Sequence, residues 1–355
     1  MQKKIIALAI ASALTAPALA FADATVYGQA NLSVDRVNDG NTNGTTTNQL
    51  NSNTSRLGLK GSEDLGSGLS AVWQMEGAIG MDTGTVGTTL FNRDTYLGLS
   101  SATAGTGLVG RHATPYYMAT RKLDMFADGI ADNRGQQTAQ GAVPFTPTMM
   151  GGGHDTRLSN VIAYISPAMS SFSVAAATVF GAENNGVVNA SKGSLYSLAG
   201  MYEQGPIYAT LAYDTIKAGS AGTGDLAPGV MGTAAVNDKA TAFKAGGSFT
   251  TDAFAVNAVL ERITNTTAVG GANVNHTDIY LAGKFNITSA DDVKLAFTKR
   301  GAQTGLANDA TQYTVGYDHS LSKATSVYAL FTKVNAKATG ASDPSALSLG
   351  IKHSF

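Results

Sequence analysis

The chain has 355 residues, 24 of them basic and 25 acidic, with a mean hydropathy of zero and no cysteine. A balance this even leaves no basic footprint for nucleic acid. Without cysteine there can be no disulfide, no thiolate metal site and no cysteine nucleophile, so stability has to come from strand pairing and packing.

Residues 1–22 carry Lys3 and Lys4, an apolar run from Ile5 and the small-x-small triplet Ala20-Phe21-Ala22. That is the layout of a cleaved secretory signal peptide, and its apolar run is short for a membrane anchor. The expected mature chain is 23–355, with 22 basic residues against 25 acidic once Lys3 and Lys4 are removed. No run of roughly 18 apolar residues follows, so no membrane helix is predicted. A barrel wall escapes that test, because each crossing needs only about ten residues with alternate side chains facing lipid.

Alternation begins at once. Ala24, Val26, Gly28, Ala30, Leu32 and Val34 interleave with Thr25, Tyr27, Gln29, Asn31, Ser33 and Asp35, giving one apolar and one polar face. Soluble sandwiches alternate too, but over shorter strands. The pattern returns with Ser55, Leu57 and Leu59 opposing Arg56, Gly58 and Lys60, then after a turn at 63–68 with Leu69, Ala71, Trp73 and Met75. It recurs at Phe254, Val256, Ala258 and Leu260, at Ile279, Leu281 and Phe285, and at Val293, Leu295 and Phe297. Tight connections near 101–106, 167–171, 204–206, 251–252, 288–291 and 321–324 alternate with longer ones near 37–53, 81–88, 182–193, 218–238, 264–275, 301–309 and 336–344. We count sixteen strands, an even number that lets an antiparallel sheet close without an open edge. Short turns at one end and long loops at the other match a transmembrane barrel of the outer-membrane type.

One segment breaks the rhythm. From Arg111 to Arg157, with Pro115, Pro144, Pro147 and Gly151-Gly152-Gly153, there is neither a helical nor an alternating pattern. Loops this long are uncommon and usually functional, and in a closed barrel this one is expected to fold into the lumen and narrow it.

Other motifs carry less. Gly105-Thr106-Gly107-Leu108-Val109-Gly110 has dinucleotide spacing but no helix to face a pyrophosphate, and is read as a glycine-rich hairpin turn. Asp39 opens like a calcium loop, yet the twelfth position is Leu50 and not Glu, so a solvated loop is expected. The five histidines have no metal-ligand spacing, and no nucleophile elbow or zinc-protease motif is present. Neither an enzyme nor a cofactor is expected.

The final strand sets Leu347, Leu349, Ile351, His353 and Phe355 against Ser348, Gly350, Lys352 and Ser354. A barrel must pair its last strand with its first, so Phe355 is predicted to matter for assembly and to lie close to the mature start at Asp23. Its ring would join an interfacial aromatic girdle with Tyr280, Tyr313, Tyr317, Phe297 and Phe331.

These blocks resemble the general diffusion porins of Gram-negative bacteria, most closely the branch found in Neisseria, Burkholderia and related β-proteobacteria. The resemblance rests on Thr25-Val26-Tyr27-Gly28, on Ser55 to Gly66, on Asn92-Arg93-Asp94-Thr95-Tyr96-Leu97-Gly98-Leu99, on Leu108-Val109-Gly110-Arg111, on Tyr164-Ile165-Ser166-Pro167 and on Ile351-Lys352-His353-Ser354-Phe355. It implies an all-β, 16-stranded antiparallel barrel in the outer membrane with its third loop in the lumen. It also implies a homotrimer, surrounding lipid, and barrel-assembly machinery engaging the C-terminal strand.

Arg56 and Lys60 fall on the polar face of the second strand, and Arg93, Arg111 and Arg157 lie on or beside strands bracketing the long loop. The resemblance carries Arg56, Arg93 and Arg157 onto the wall of the pore eyelet, while Lys60 and Arg111 rest on face and proximity alone. Asp124 and Asp128 are the loop acids expected opposite this wall, with Arg121, Lys122 and Arg134 among them. A basic wall facing acids would set a transverse field across a narrow aqueous passage. The expected activity is passive diffusion of small hydrophilic solutes and ions with a weak anion preference. The alternatives are a substrate-specific channel and, further off, a soluble secreted adhesin.

Overall fold

The computed structural model describes residues 24–41, 44–86, 89–134, 149–151, 153–180, 193–219, 238–265, 274–304, 308–337 and 342–355. The expected leader, the mature start Asp23 and loop residues 135–148 lie outside the described residues.

Strand β1 (Thr25–Asn38) pairs with β2 (Thr46–Ser52) over its second half and with β3 (Arg56–Gly66) over its first, so β2 and β3 make one interrupted wall strand. The interruption keeps β1 satisfied: the Asn53 amide donates to the Asn31 carbonyl at 2.7 Å, and the Asn31 amide donates to Ser55 Oγ at 2.9 Å. Ser55 is therefore buried and does not continue the outer face of Leu57 and Leu59. The expected loop at 37–53 is mostly strand. Thr46–Ser52 has only Leu50 as an apolar residue and so lacks alternation, but a backbone ladder does not require it.

The chain continues through β4 (Leu69–Gly80), the two-residue β5 (Thr85–Val86), β6 (Thr95–Ser101) and β7 (Gly105–Ala113). A short helix α1 (Pro115–Arg121) precedes β8 (Arg157–Ile165), β9 (Phe172–Phe180), β10 (Ser194–Gln204), β11 (Ile207–Lys217) and β12 (Lys239–Thr250). Then follow β13 (Phe254–Asn265), β14 (Val274–Asn286), β15 (Asp291–Arg300), β16 (Ala310–Ser320), β17 (Thr325–Ala336) and β18 (Ser345–Ser354). With β2 and β3 counted together and β5 left aside, sixteen antiparallel wall strands remain. The sheet closes where β18 pairs with β1, from Gln29↔Ser354 to Asn38↔Ser345. The turn expected at 63–68 shrinks to Ser67-Gly68, because β3 runs on to Gly66.

Alternation turns the soluble pattern inside out. Along β13, Phe254, Val256 and Leu260 are exposed, while Ala255, Asn257, Val259, Glu261 and Ile263 are buried. On β1 the inward, buried residues are Gln29, Asn31, Ser33 and Asp35, and Val34 points out. An apolar outer band with a polar interior is what a lipid-facing wall requires.

Two expectations need correction here. Gly105–Gly110 is strand and not turn, the turn being 102–104. Tyr280 is no girdle residue: it shares a strand with the outward Leu281 at the opposite parity, so its ring is buried on the inner side. Tyr313, Tyr317 and Phe331 are exposed as expected, and Phe297 packs on Tyr313 with centroids 5.3 Å apart. The partner of Phe355 is Gly28: the Gly28 amide donates to the Phe355 carbonyl at 2.9 Å and the Phe355 amide to the Gly28 carbonyl at 3.1 Å. Only glycine fits there, since a Cβ would stand 2.5 Å from the Phe355 ring.

Candidate functional site

The segment between β7 and β8 is not structureless. Thr114 caps α1, its Oγ accepting the Tyr117 amide at 3.1 Å, and Pro115 occupies the first turn where no amide hydrogen is needed. Seven residues with a proline at the start leave too little helical period to read in sequence. The described residues of this segment contact inward side chains all round the barrel. Asn31 Nδ2 of β1 donates to the Asp128 carbonyl at 2.7 Å, Tyr208 Oη of β11 to the Ala119 carbonyl at 2.6 Å, and Asn257 Nδ2 of β13 to the Leu123 carbonyl at 2.8 Å.

On the wall nearest the chain start, the strands gather three arginines. Arg56 leaves β3 and donates through Nη1 to Asp128 Oδ2 at 3.2 Å and through Nη2 to Gln29 Oε1 at 3.2 Å. Arg93 and Asp94 extend the ladder on β4: the Arg93 amide donates to the Glu76 carbonyl and the Glu76 amide to the Asp94 carbonyl, each at 3.1 Å. Arg93 Nε pairs with Glu76 Oε1, and Arg56 Nε stands 4.0 Å from Glu76 Oε2. Tyr27 Oη donates to Glu76 Oε2 at 2.9 Å, its ring crossing Gly58, where a Cβ would meet it at 2.3 Å. Arg157 Nε donates to Asp94 Oδ2 at 2.7 Å.

The other predicted residues part company. Lys60 lies on the same face as Arg56, its Nζ 4.9 Å from the Tyr27 ring centroid. Asp128 meets the wall at Arg56. Burial pushes its carboxyl up, but the Arg121 and Arg56 guanidiniums outweigh this and hold it well below the usual carboxylate range. Asp124 does not face the passage. It is buried, accepting the Phe126 amide at 2.9 Å, the Asn133 amide at 3.2 Å and Tyr280 Oη at 3.2 Å. Burial, reinforced by the neighbouring Asp132 charge, pushes its carboxyl up to about 6.

Arg111 also stands apart. It pairs with Thr95, which pairs with Met75, on the face where Leu97 and Val109 are exposed. This is the outer face, and there Arg111 Nε donates to the Asn92 carbonyl at 2.8 Å and Nη1 to Ser159 Oγ at 3.0 Å.

Sequence reasoning missed the wall acids Glu76 and Asp94. Glu76 carried a signal, sitting at the polar parity of β4 opposite Trp73 and Met75. It also missed the clamp on the far wall. Lys244 Nζ donates to both Asp155 oxygens at 2.7 Å and stands 3.2 Å from Glu261, while Arg134 Nε donates to Asp155 Oδ2 at 2.7 Å. Glu261 in turn accepts Tyr116 Oη at 2.5 Å and the Gly151 amide at 2.6 Å. Asp155 is lowered: burial opposes ionisation, but the Lys244 and Arg134 charges prevail.

The sequence profile of the Gram-negative porin family matches residues 7–339. Outer membrane porin protein 32 of Delftia acidovorans is 28% identical over 335 residues, 92% of this chain and 88% of its own length. Major outer membrane protein P.IB of Neisseria meningitidis serogroup B is 35% identical over 108 residues, 28% of this chain and 30% of its own. Among solved structures, an anion-selective porin from Comamonas acidovorans superposes with a TM-score of 0.75 at 22% identity, covering 94% of this chain and 100% of that one. In-vitro folded OmpT of Vibrio cholerae, in a trimer form, superposes at 0.65 with 16% identity, covering 94% and 99%.

Proposed function

The chain belongs to the Gram-negative porin family, and from that membership we propose that its inserted loop and arginine wall form the constriction of a weakly anion-selective channel. The protein is an outer-membrane β-barrel for passive diffusion of small hydrophilic solutes. In our reading the chain is exported by a leader cleaved after Ala22, works as a homotrimer in lipid, and does no covalent chemistry.

The observation carrying the selectivity is relative exposure. Each arginine has a carboxylate partner, so a count of charges gives no sign. The guanidinium side chains of Arg56, Arg93 and Arg157 are 22%, 15% and 19% exposed, against 7%, 16% and 14% for Glu76, Asp94 and Asp128. More of the arginine side chains than of the carboxylates is therefore open to a permeating ion, and Lys60 adds a further cation on the same face. Screening over about 8 Å hides rim charges from an ion in the passage, but not charges in the wall beside it. Low-dielectric walls then focus what field remains. The inward wall tyrosines Tyr208 and Tyr280 are buried under the loop, which supports general diffusion over a ladder for one substrate.

Replacing Arg93 and Arg157 together by Ser should move the reversal potential across a KCl gradient toward cations in planar bilayers. A wild-type pore that already prefers cations, or one indifferent to the double change, overturns this reading.

A further inference from the structure

Tyr117 has no role in the pairs described above, yet three guanidiniums surround its ring. The carbon at the centre of each guanidinium lies 5.0 Å from the ring centroid for Arg157, 5.6 Å for Arg134 and 5.9 Å for Arg121. These residues come from three places: the start of β8, the loop, and the end of α1. Each is tied to its own carboxylate: Arg157 to Asp94, Arg134 to Asp155, Arg121 to Asp128 and Asp132.

Three like charges around one point repel, and each pair could relax by drawing its arginine back onto its carboxylate. Tyr117 supplies what a neutral aliphatic side chain would not: the negative face of its ring attracts a cation placed over it, and its hydroxyl is hydrogen-bonded to Arg157. Arg134 and Arg121 are held by loop acids on their own segment, so the ring is dispensable for them. Arg157 differs, because its carboxylate partner among the described residues, Asp94, belongs to the wall. Tyr117 is itself fixed, its amide donating to Thr114 Oγ at 3.1 Å within α1.

We infer that Tyr117 is a positioning residue for Arg157, holding its guanidinium out over the lumen and so setting the ion preference of the constriction. The inference rests on the reading that Arg157 lines the passage. The loop thus contributes to selectivity through a ring as well as through Asp128.

The test compares wild type, Tyr117→Phe, Tyr117→Leu, Arg157→Ser and the Tyr117→Leu/Arg157→Ser double variant, all as heat-resistant trimers in planar bilayers. The chloride-to-potassium permeability ratio is read from the reversal potential, and the uncharged-sugar cut-off from liposome swelling. Tyr117→Leu should lose at least half of what Arg157→Ser loses, Tyr117→Phe, which keeps the ring and loses the hydroxyl hydrogen-bonded to Arg157, should fall between wild type and Tyr117→Leu, and the double variant should match Arg157→Ser alone. The sugar cut-off should not change. A Tyr117→Leu ratio equal to wild type, while Arg157→Ser falls, overturns the positioning role alone. So does Tyr117→Phe falling as far as Tyr117→Leu, or a Tyr117→Leu pore that admits larger sugars. An Arg157→Ser ratio equal to wild type overturns both this inference and the reading beneath it.

Discussion

The two sides of the lumen use the same residue types to opposite ends. On the near wall, Arg56, Arg93 and Arg157 meet Glu76, Asp94 and Asp128 while keeping an edge open to water. On the far wall, Lys244, Asp155 and Glu261 are 1%, 2% and 0% exposed and hold the loop down. Ion pairs that stay wet interact weakly and can act on a passing solute, whereas pairs removed from water are strongly coupled and costly to break. The difference in role lies in hydration and not in residue identity, so substitutions on the two sides should fail in different ways.

Lys244→Met should have the largest effect. It leaves Asp155 and Glu261 buried with less positive charge, a loss of about 3–5 kcal/mol. The loop should come away from β12, with a lower melting temperature and higher single-channel conductance; unchanged conductance in folded protein would place the clamp outside loop positioning.

Asp124 sharpens the contrast on the buried side. Its carboxyl is raised to about 6 from an ordinary 3.8, so between those values the folded chain binds more protons than the unfolded one. Stability from this group therefore falls as pH rises through that window. The difference amounts to about 3 kcal/mol. Asp124→Asn should flatten this part of the melting-temperature profile between pH 4 and 7 in detergent, and a slope equal to wild type would count against the assignment.

Glu76→Gln should have the smallest effect on stability, about 1–2 kcal/mol, because a charged hydrogen-bond acceptor is replaced by a neutral one. Its signature is electrical. With the carboxylate gone from beside Arg93 and Arg56, the reversal potential should shift further toward anions, and a shift toward cations would contradict the wall geometry.

Much of this was legible in the sequence, for physical reasons. Period-two alternation is imposed by the pleat, so the wall, the short turns and the inward face of Arg56 and Lys60 could be read directly. The same rule, applied strictly from Leu97 and Val109, would have put Arg111 outside; proximity to the loop misled. Thr46–Ser52 escaped because a polar strand beyond the apolar band pairs through its backbone alone. Within 114–134 no period exists, so nothing separated Asp124, which binds backbone amides, from Asp128, which meets Arg56. Pairing between segments far apart in sequence, such as Asp155 with Lys244, leaves no local trace.

The far-wall clamp also fixes an order of events. The Tyr116 hydroxyl and the Gly151 amide reach Glu261 across sequence separations of 145 and 110 residues, so the loop cannot settle when its own flanking strands form. Until β12 and β13 are in place, Lys244 and Asp155 have no dry partner, and contacts this distant are late and slow to form. The segment packed inside the barrel is therefore finished by the second half of the chain, and a nascent barrel passes through a stage in which its wall exists before its filling does.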